Sequence, residues 1–233
     1  MSDFTNKDIK ENIRQTLGLD SQESVNESYV AQLKQYSLPT ELLSTANKKA
    51  HIELYKNYVN AFNKISAELD VADRENGDKN SSVFRSLKVD ETFNMNAAYL
   101  HELYFANISD LHSEIAMDSL SYMRLARDFG TFDDWQKDFI ACALSSRNGW
   151  ACTVYNTWLK SYQNIVIDLH SQQIPMGVIP IIVLDVWEHA YYRDYLNNTK
   201  TYVIAMMKQL NWDIIESRFR KSEKVSQVLR GMS

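Results

Sequence analysis

Residues 178–192 read Val-Ile-Pro-Ile-Ile-Val-Leu-Asp-Val-Trp-Glu-His-Ala-Tyr-Tyr, and they decide how the rest of the chain is read. The run Val178–Leu184 is apolar and β-branched, the composition of a buried strand. A buried strand that ends on a carboxylate, Asp185, and meets an imidazole four residues later, His189, delivers two metal-binding or hydrogen-bonding groups to one compact turn. Two similar stretches precede it, "WACTVYNTW" from Trp150 and "YQNIVIDLH" from Tyr162, with polar breaks between. Three strands in succession, with no helix between them, predict a small three-stranded antiparallel sheet.

Upstream the periodicity changes. From Ser44 to Leu69, His51, Tyr55, Tyr58, Phe62, Ile65 and Leu69 recur at three- and four-residue spacing and share one helix face. The polar stretch 71–91 predicts a loop, and a second helix is expected over Thr92–Ile108, with Ala97, Leu100, His101, Tyr104 and Ile108 facing one way. Two long helices joined by one loop form an antiparallel hairpin. A shorter helix is expected over Glu114–Arg127, another from the "FGTFDDW" stretch to Leu144, and a helical tail over 190–229 interrupted at Asn197–Asn198. Residues 1–36 are polar, with a short amphipathic piece (Phe4, Ile9, Ile13, Leu17) stopped by Gly18. The expected fold class is α+β: residues 1–36 an N-terminal extension, 37–128 a helical hairpin domain, 129–233 a C-terminal α+β domain.

Composition bounds the function. The 233 residues hold 45% hydrophobic and 24% charged side chains, ordinary for a globular chain able to bury a core. Six glycines and three prolines argue against a turn-rich all-β fold. A formal charge of −5 offers nothing to nucleic acid or an anionic membrane, so neither is expected as a partner. The N-terminal stretch lacks the apolar core of a secretion signal, and no apolar run reaches the roughly 18 residues of a membrane span. With Cys142 and Cys152 read as reduced core thiols, the chain is expected to be soluble and cytoplasmic.

A lone histidine on an apolar helix face is usually a hydrogen-bonded core residue. Here His51 and His101 lie on the inward faces of two helices that must pack together, and Asp185 and His189 share a turn. Three imidazoles and a carboxylate make a borderline ligand set for Fe, Mn, Zn or Cu. The residues alone therefore reach a mononuclear metal site between two subdomains, and name no reaction.

The stretch "DVWEHAYYRDY" resembles the C-terminal signature of the iron/manganese superoxide dismutase family, of the form D-x-W-E-H-A-Y-Y. Further matches follow in order: "HIELYKNYVNAFNKI" resembles that family's first long helix, "FNMNAAYLHELYF" its second, "FGTFDDWQKDFIACALSSRNGWACTVYN" its entry into the α/β domain, and "TKTYVIAMMKQLNWDIIESRF" its closing helices. The resemblance covers about residues 36–219.

It implies one Fe or Mn ion per subunit on His51, His101, Asp185 and His189, and disproportionation of superoxide. It makes Tyr58 the tyrosine that guards substrate entry and Trp150 and Trp187 aromatic walls. Glu188 would reach across a homodimer seam towards His189 of the partner subunit, with Tyr192 at the same seam; a tetramer is compatible. His170 corresponds to the Gln or His that bonds metal-bound solvent, with Gln172 and Gln173 as competitors, and His112 has no counterpart. Lys48, Lys49, Lys56 and Arg193 lie near the motifs as steering charges or as solvated helix faces. The chain departs from the family's H-x3-H-H-x2-Y helix: Tyr58 follows His51 by seven residues instead of eight, and Leu54-Tyr55 stands where the histidine pair would be. The competing expectation is the same fold kept as a structural or interaction protein.

Overall fold

The computed structural model describes residues 30–109 and 112–230, so the amphipathic piece at Phe4–Leu17 lies outside the described residues. Within the compact unit Gln32–Ser233 the order is α1 (Thr45–Asp70), α2 (Val83–Ile108), α3 (Leu120–Phe129), α4 (Phe132–Ser145), β1 (Gly149–Asn156), β2 (Ser161–Asp168), β3 (Val178–Asp185), α5 (Glu188–Tyr195), α6 (Thr199–Met207) and α7 (Trp212–Arg230). The expected α+β architecture is present: a helical hairpin, then helices around a three-stranded antiparallel sheet.

Side-chain caps open several of the helices. Ser44 Oγ accepts from the Asn47 amide (3.2 Å) to open α1, which buries Asn47, His51, Tyr55, Val59, Phe62 and Leu69. Helix α2 begins nine residues before the expected position, inside the stretch read as loop. Ser82 caps it by accepting from the Arg85 amide (3.3 Å), and its first turns are mostly solvent-exposed. A solvated helix segment carries no apolar stripe, so periodicity could not reveal it. The buried face appears from Ala97 onward, and His101, Tyr104 and Phe105 pack against His51 of α1. Helix α3 starts at Leu120 rather than Glu114, because Ser119 caps it and the Glu216 carboxylate accepts from the Leu120 and Ser121 amides (3.2 and 2.8 Å).

The sheet order is β2-β1-β3, both pairs antiparallel, which makes β1 central and buried along its whole length. A bulge at Thr153/Val154 falls opposite the Ile182–Pro180 step of β3, where a proline without an N–H sits on an edge strand. The register pairs Trp150 with Asp185 and with Ile167, so the chemistry-bearing end of β3 lies beside the start of β1. Buried polar groups inside the sheet are matched: Trp135 Nε1 donates to Thr153 Oγ1 (2.9 Å), which donates to Asn164 Oδ1 (2.7 Å). No helix among the described residues is long and apolar enough to cross a membrane.

Gly149 sits where the close approach of β2 leaves no room for a side chain. An added Cβ would lie 1.9 Å from the Ile167 carbonyl oxygen, and the neighbouring Gly149 carbonyl accepts from Val186 N (2.9 Å). Gly149→Ala should therefore push β1 off β2 and cost about 3 kcal/mol. Chemical denaturation would show this as a lower midpoint at unchanged slope.

Candidate metal centre

Four elements converge at one point. His51 comes from the buried face of α1, His101 from α2, Asp185 from the last residue of β3, and His189 from the first turn of α5. One nitrogen of each imidazole and one Asp185 oxygen all lie within 4.8 Å of one another. His51 Nε2 and His189 Nε2 stand 3.1 and 3.2 Å from Asp185 Oδ2, and His101 Nε2 stands at 3.6 Å. Asp185 and His101 are fully buried and His51 nearly so, while the His189 side chain is 24% exposed.

The donor set fits a metal ion on its own chemistry. His101 Nδ1 donates to the Ala97 carbonyl (2.7 Å), which fixes the tautomer and leaves Nε2 as a bare lone pair. That Nε2 is buried with no hydrogen-bond partner and faces the cluster. Burial lowers the pKa of both His51 and His101, the latter further because His51 is adjacent, so burial favours the neutral ring in both. Burial alone would raise the Asp185 carboxyl, but the adjacent His189 and His51, both hydrogen-bonded to Oδ2, outweigh it and hold the group well below the usual carboxylate range. The second oxygen, Oδ1, accepts from Trp187 N (2.9 Å), and Tyr202 donates to the Asp185 backbone carbonyl (2.8 Å). Asp185 is thus gripped on three sides.

Around this cluster the hydrogen-bond directions can be read without ambiguity. Indole N–H groups only donate. Trp150 Nε1 points at His170 Nδ1 (3.0 Å), so Nδ1 is the acceptor and the His170 proton sits on Nε2. Nε2 therefore donates to the Tyr58 hydroxyl oxygen (3.1 Å), leaving the Tyr58 proton free to point elsewhere. Burial lowers the His170 pKa to about 4, which keeps this ring neutral, and burial followed by the Asp185 charge pushes Tyr58 up to about 12. His170 reaches this position because Leu169 takes a left-handed turn (φ 56°), strained for a leucine. The Leu169 carbonyl is held by Trp187 Nε1 (3.3 Å).

Trp187 stacks between His170 (4.9 Å between ring centres) and His189 (5.7 Å), and Trp150 meets His101 edge-on (4.9 Å). Phe93 packs on His170 (4.7 Å) and Tyr58 (6.4 Å). The sequence reading missed it: Phe93 lies one turn before the buried face of α2, and one aromatic on a mixed helix carries no signal. Gln173 Oε1 accepts from the Asp168 amide (3.2 Å), while His112 is exposed. Tyr55 turns away from the cluster to donate to Glu102 Oε1 (3.0 Å), and Lys48 Nζ is bound to the Leu38 and Thr40 carbonyls. Cys142 and Cys152 are free thiols. A cavity of about 430 Å³ opens on His51 and His189 between Ala50, Glu188, Tyr192 and Arg193, the last three exposed.

The sequence model of the iron/manganese superoxide dismutases, C-terminal domain, matches residues 119–218. The Fe superoxide dismutase of Aquifex aeolicus (strain VF5) is 34% identical over 205 residues, covering 85% of this chain and 95% of that protein. That of Aquifex pyrophilus is also 34% identical, over 84% of this chain and 94% of its own length. A Haloferax volcanii protein named Mn superoxide dismutase 2 is 34% identical over 74% of this chain and 84% of its own. Relatives named for Fe and for Mn are thus alike in identity to this chain, over 74% to 85% of its length. The chain belongs to the iron/manganese superoxide dismutase family.

Proposed function

We propose that this protein disproportionates superoxide at one Fe or Mn ion per subunit, held by His51, His101, Asp185 and His189. The observation that carries the reading is the buried Asp185 carboxylate ringed by three imidazoles, one of which, His101, presents a bare and otherwise orphaned Nε2. A bound ion supplies the one-electron redox change, so that two superoxide anions and two protons become dioxygen and hydrogen peroxide. With one carboxylate among the four side chains, a divalent or trivalent ion keeps a net positive charge, an attraction for an anion that the protein's overall charge of −5 does not provide.

The chain's own contribution is proton placement and exclusion. Tyr58 accepts from His170 and so directs its hydroxyl proton away from that ring, where it serves as the donor at the site. His170 is fixed in turn by Trp150, and Trp150, Trp187 and Phe93 keep bulk water off the cluster. Glu188 and Tyr192, at the mouth over His51 and His189, form the seam of a homodimer in this reading. The division into an extension (1–36), a hairpin domain (37–128) and an α+β domain (129–233), and a cytoplasmic location in keeping with two free cysteines, complete the proposal.

Three measurements test it. Stopped-flow superoxide decay per bound ion, on samples loaded separately with Fe and with Mn, should be fast with at least one; full loading without decay would leave a metal-binding scaffold. Tyr58→Phe should keep its metal yet lose about 10- to 100-fold in turnover, the worth of one hydrogen bond to a charged group.

The third concerns acid. In the metal-free protein His51 and His101 have folded pKa values below the ~6.5 of the unfolded chain, and Asp185 lies below its own ~3.9. In both cases the unfolded state binds more protons, so stability is full at neutral pH and falls on acidification, first below about pH 6.5 and further below about pH 4. Denaturant midpoints of metal-free protein across that range should decline in this order, and a flat profile would contradict the assigned protonation states.

A further inference from the structure

Two of the three imidazoles are tied directly to Asp185, and the third is not. His51 and His189 stand at hydrogen-bond distance from Oδ2 (3.1 and 3.2 Å), whereas His101 Nε2 is at 3.6 Å with no partner. Something outside the cluster must therefore set where α2 places His101 relative to the end of β3.

Arg218 on α7 is built for that task. Its Nη1 donates to Asn107 Oδ1 and to the Ile181 carbonyl (2.8 Å), and its Nη2 to the Leu103 carbonyl (3.0 Å). Asn107 completes the tie by donating from Nδ2 to the Val183 carbonyl (2.8 Å). Leu103 follows His101 by two residues on α2, and Val183 precedes Asp185 by two on β3, so both elements are pinned close to the groups they carry. The guanidinium has no carboxylate partner among the described ion pairs, and burial lowers its pKa to about 10. A largely desolvated cation held by neutral acceptors is a poor device for stability alone. Its value is directional. Apolar contacts between α2 and β3 tolerate sliding, while hydrogen bonds to specific carbonyls fix the axial register.

We propose that Arg218 and Asn107 are positioning residues that set the separation of His101 from Asp185, and through it the affinity and electronic signature of the ion. The proposal rests on the reading of these four residues as the metal site. Arg218→Met removes the donor fork. Asn107→Asp keeps an acceptor for Arg218, now as an ion pair, but loses the donor to Val183. Phe139→Leu, in the buried face of α4, serves as a control that loosens the core elsewhere.

In full-length protein that remains folded by circular dichroism, chelator competition should show each of the first two variants binding Fe or Mn at least about tenfold more weakly, the usual effect of losing an outer support of a ligand. The electron paramagnetic resonance spectrum of the bound ion should change as well. Phe139→Leu should lower the melting temperature while leaving affinity and spectrum alone. Arg218→Lys should fail to rescue, because a single nitrogen lacks the planar fork whose Nη1 and Nη2 reach these acceptors separately. Wild-type affinity and spectrum in both Arg218→Met and Asn107→Asp would overturn the positioning role, as would an equal loss of affinity in Phe139→Leu. Wild-type protein that takes up no ion would instead sink the metal-site reading itself.

Discussion

A carboxylate without solvent is among the most expensive groups a fold can hold, and Asp185 is fully buried at the end of a strand. Everything near it serves to make that charge tolerable. Two imidazoles contact Oδ2, a backbone amide contacts Oδ1, and Tyr202 holds the residue's carbonyl. The arrangement is nonetheless incomplete without a cation, because His101 presents a bare Nε2 lone pair toward the cluster with no donor to meet it. The same deficit that makes the cluster costly in the empty protein makes it a strong site for a divalent or trivalent ion. Metal binding and the integrity of the interface between the hairpin and the sheet are consequently one free energy.

Behind the cluster lies a chain of single-direction hydrogen bonds. Trp150 cannot accept, so His170 must, and Tyr58 is left as the hydroxyl with a proton to spend. Choosing histidine at position 170 gives this chain a fixed sense as long as the ring is neutral, and burial ensures that it is. The strained turn at Leu169 is where the fold stores the cost of bringing His170 inward, and Trp187 both holds that turn and walls the site.

Legibility in the sequence varied with how much each residue depends on local spacing. The four converging side chains could be read because each sits in a strongly patterned element: His51 and His101 on apolar stripes, Asp185 at the end of an apolar run, His189 one turn later. The start of α2 could not, because a solvated helix segment is polar all round and resembles a loop until Ser82 is seen capping it. Glu216 capping α3 across 95 residues of chain was invisible for a different reason: a cap supplied from a distant helix leaves no local pattern. His170 could be placed near the site but not given a tautomer, since that depends on which neighbour donates to it.

What the sequence by itself determined is the succession of elements, the four side chains that converge and the family, because hydrophobic periodicity and a long motif are written along the chain. What tertiary structure alone decided is the set of relations between elements: the bare Nε2 of His101, the direction of the Trp150–His170–Tyr58 chain, and the clamp of Arg218 and Asn107 between α2 and β3. The physical reason is that hydrogen-bond direction and metal-site spacing are properties of pairs of atoms from segments far apart in sequence, and they come into being when burial forces those segments together.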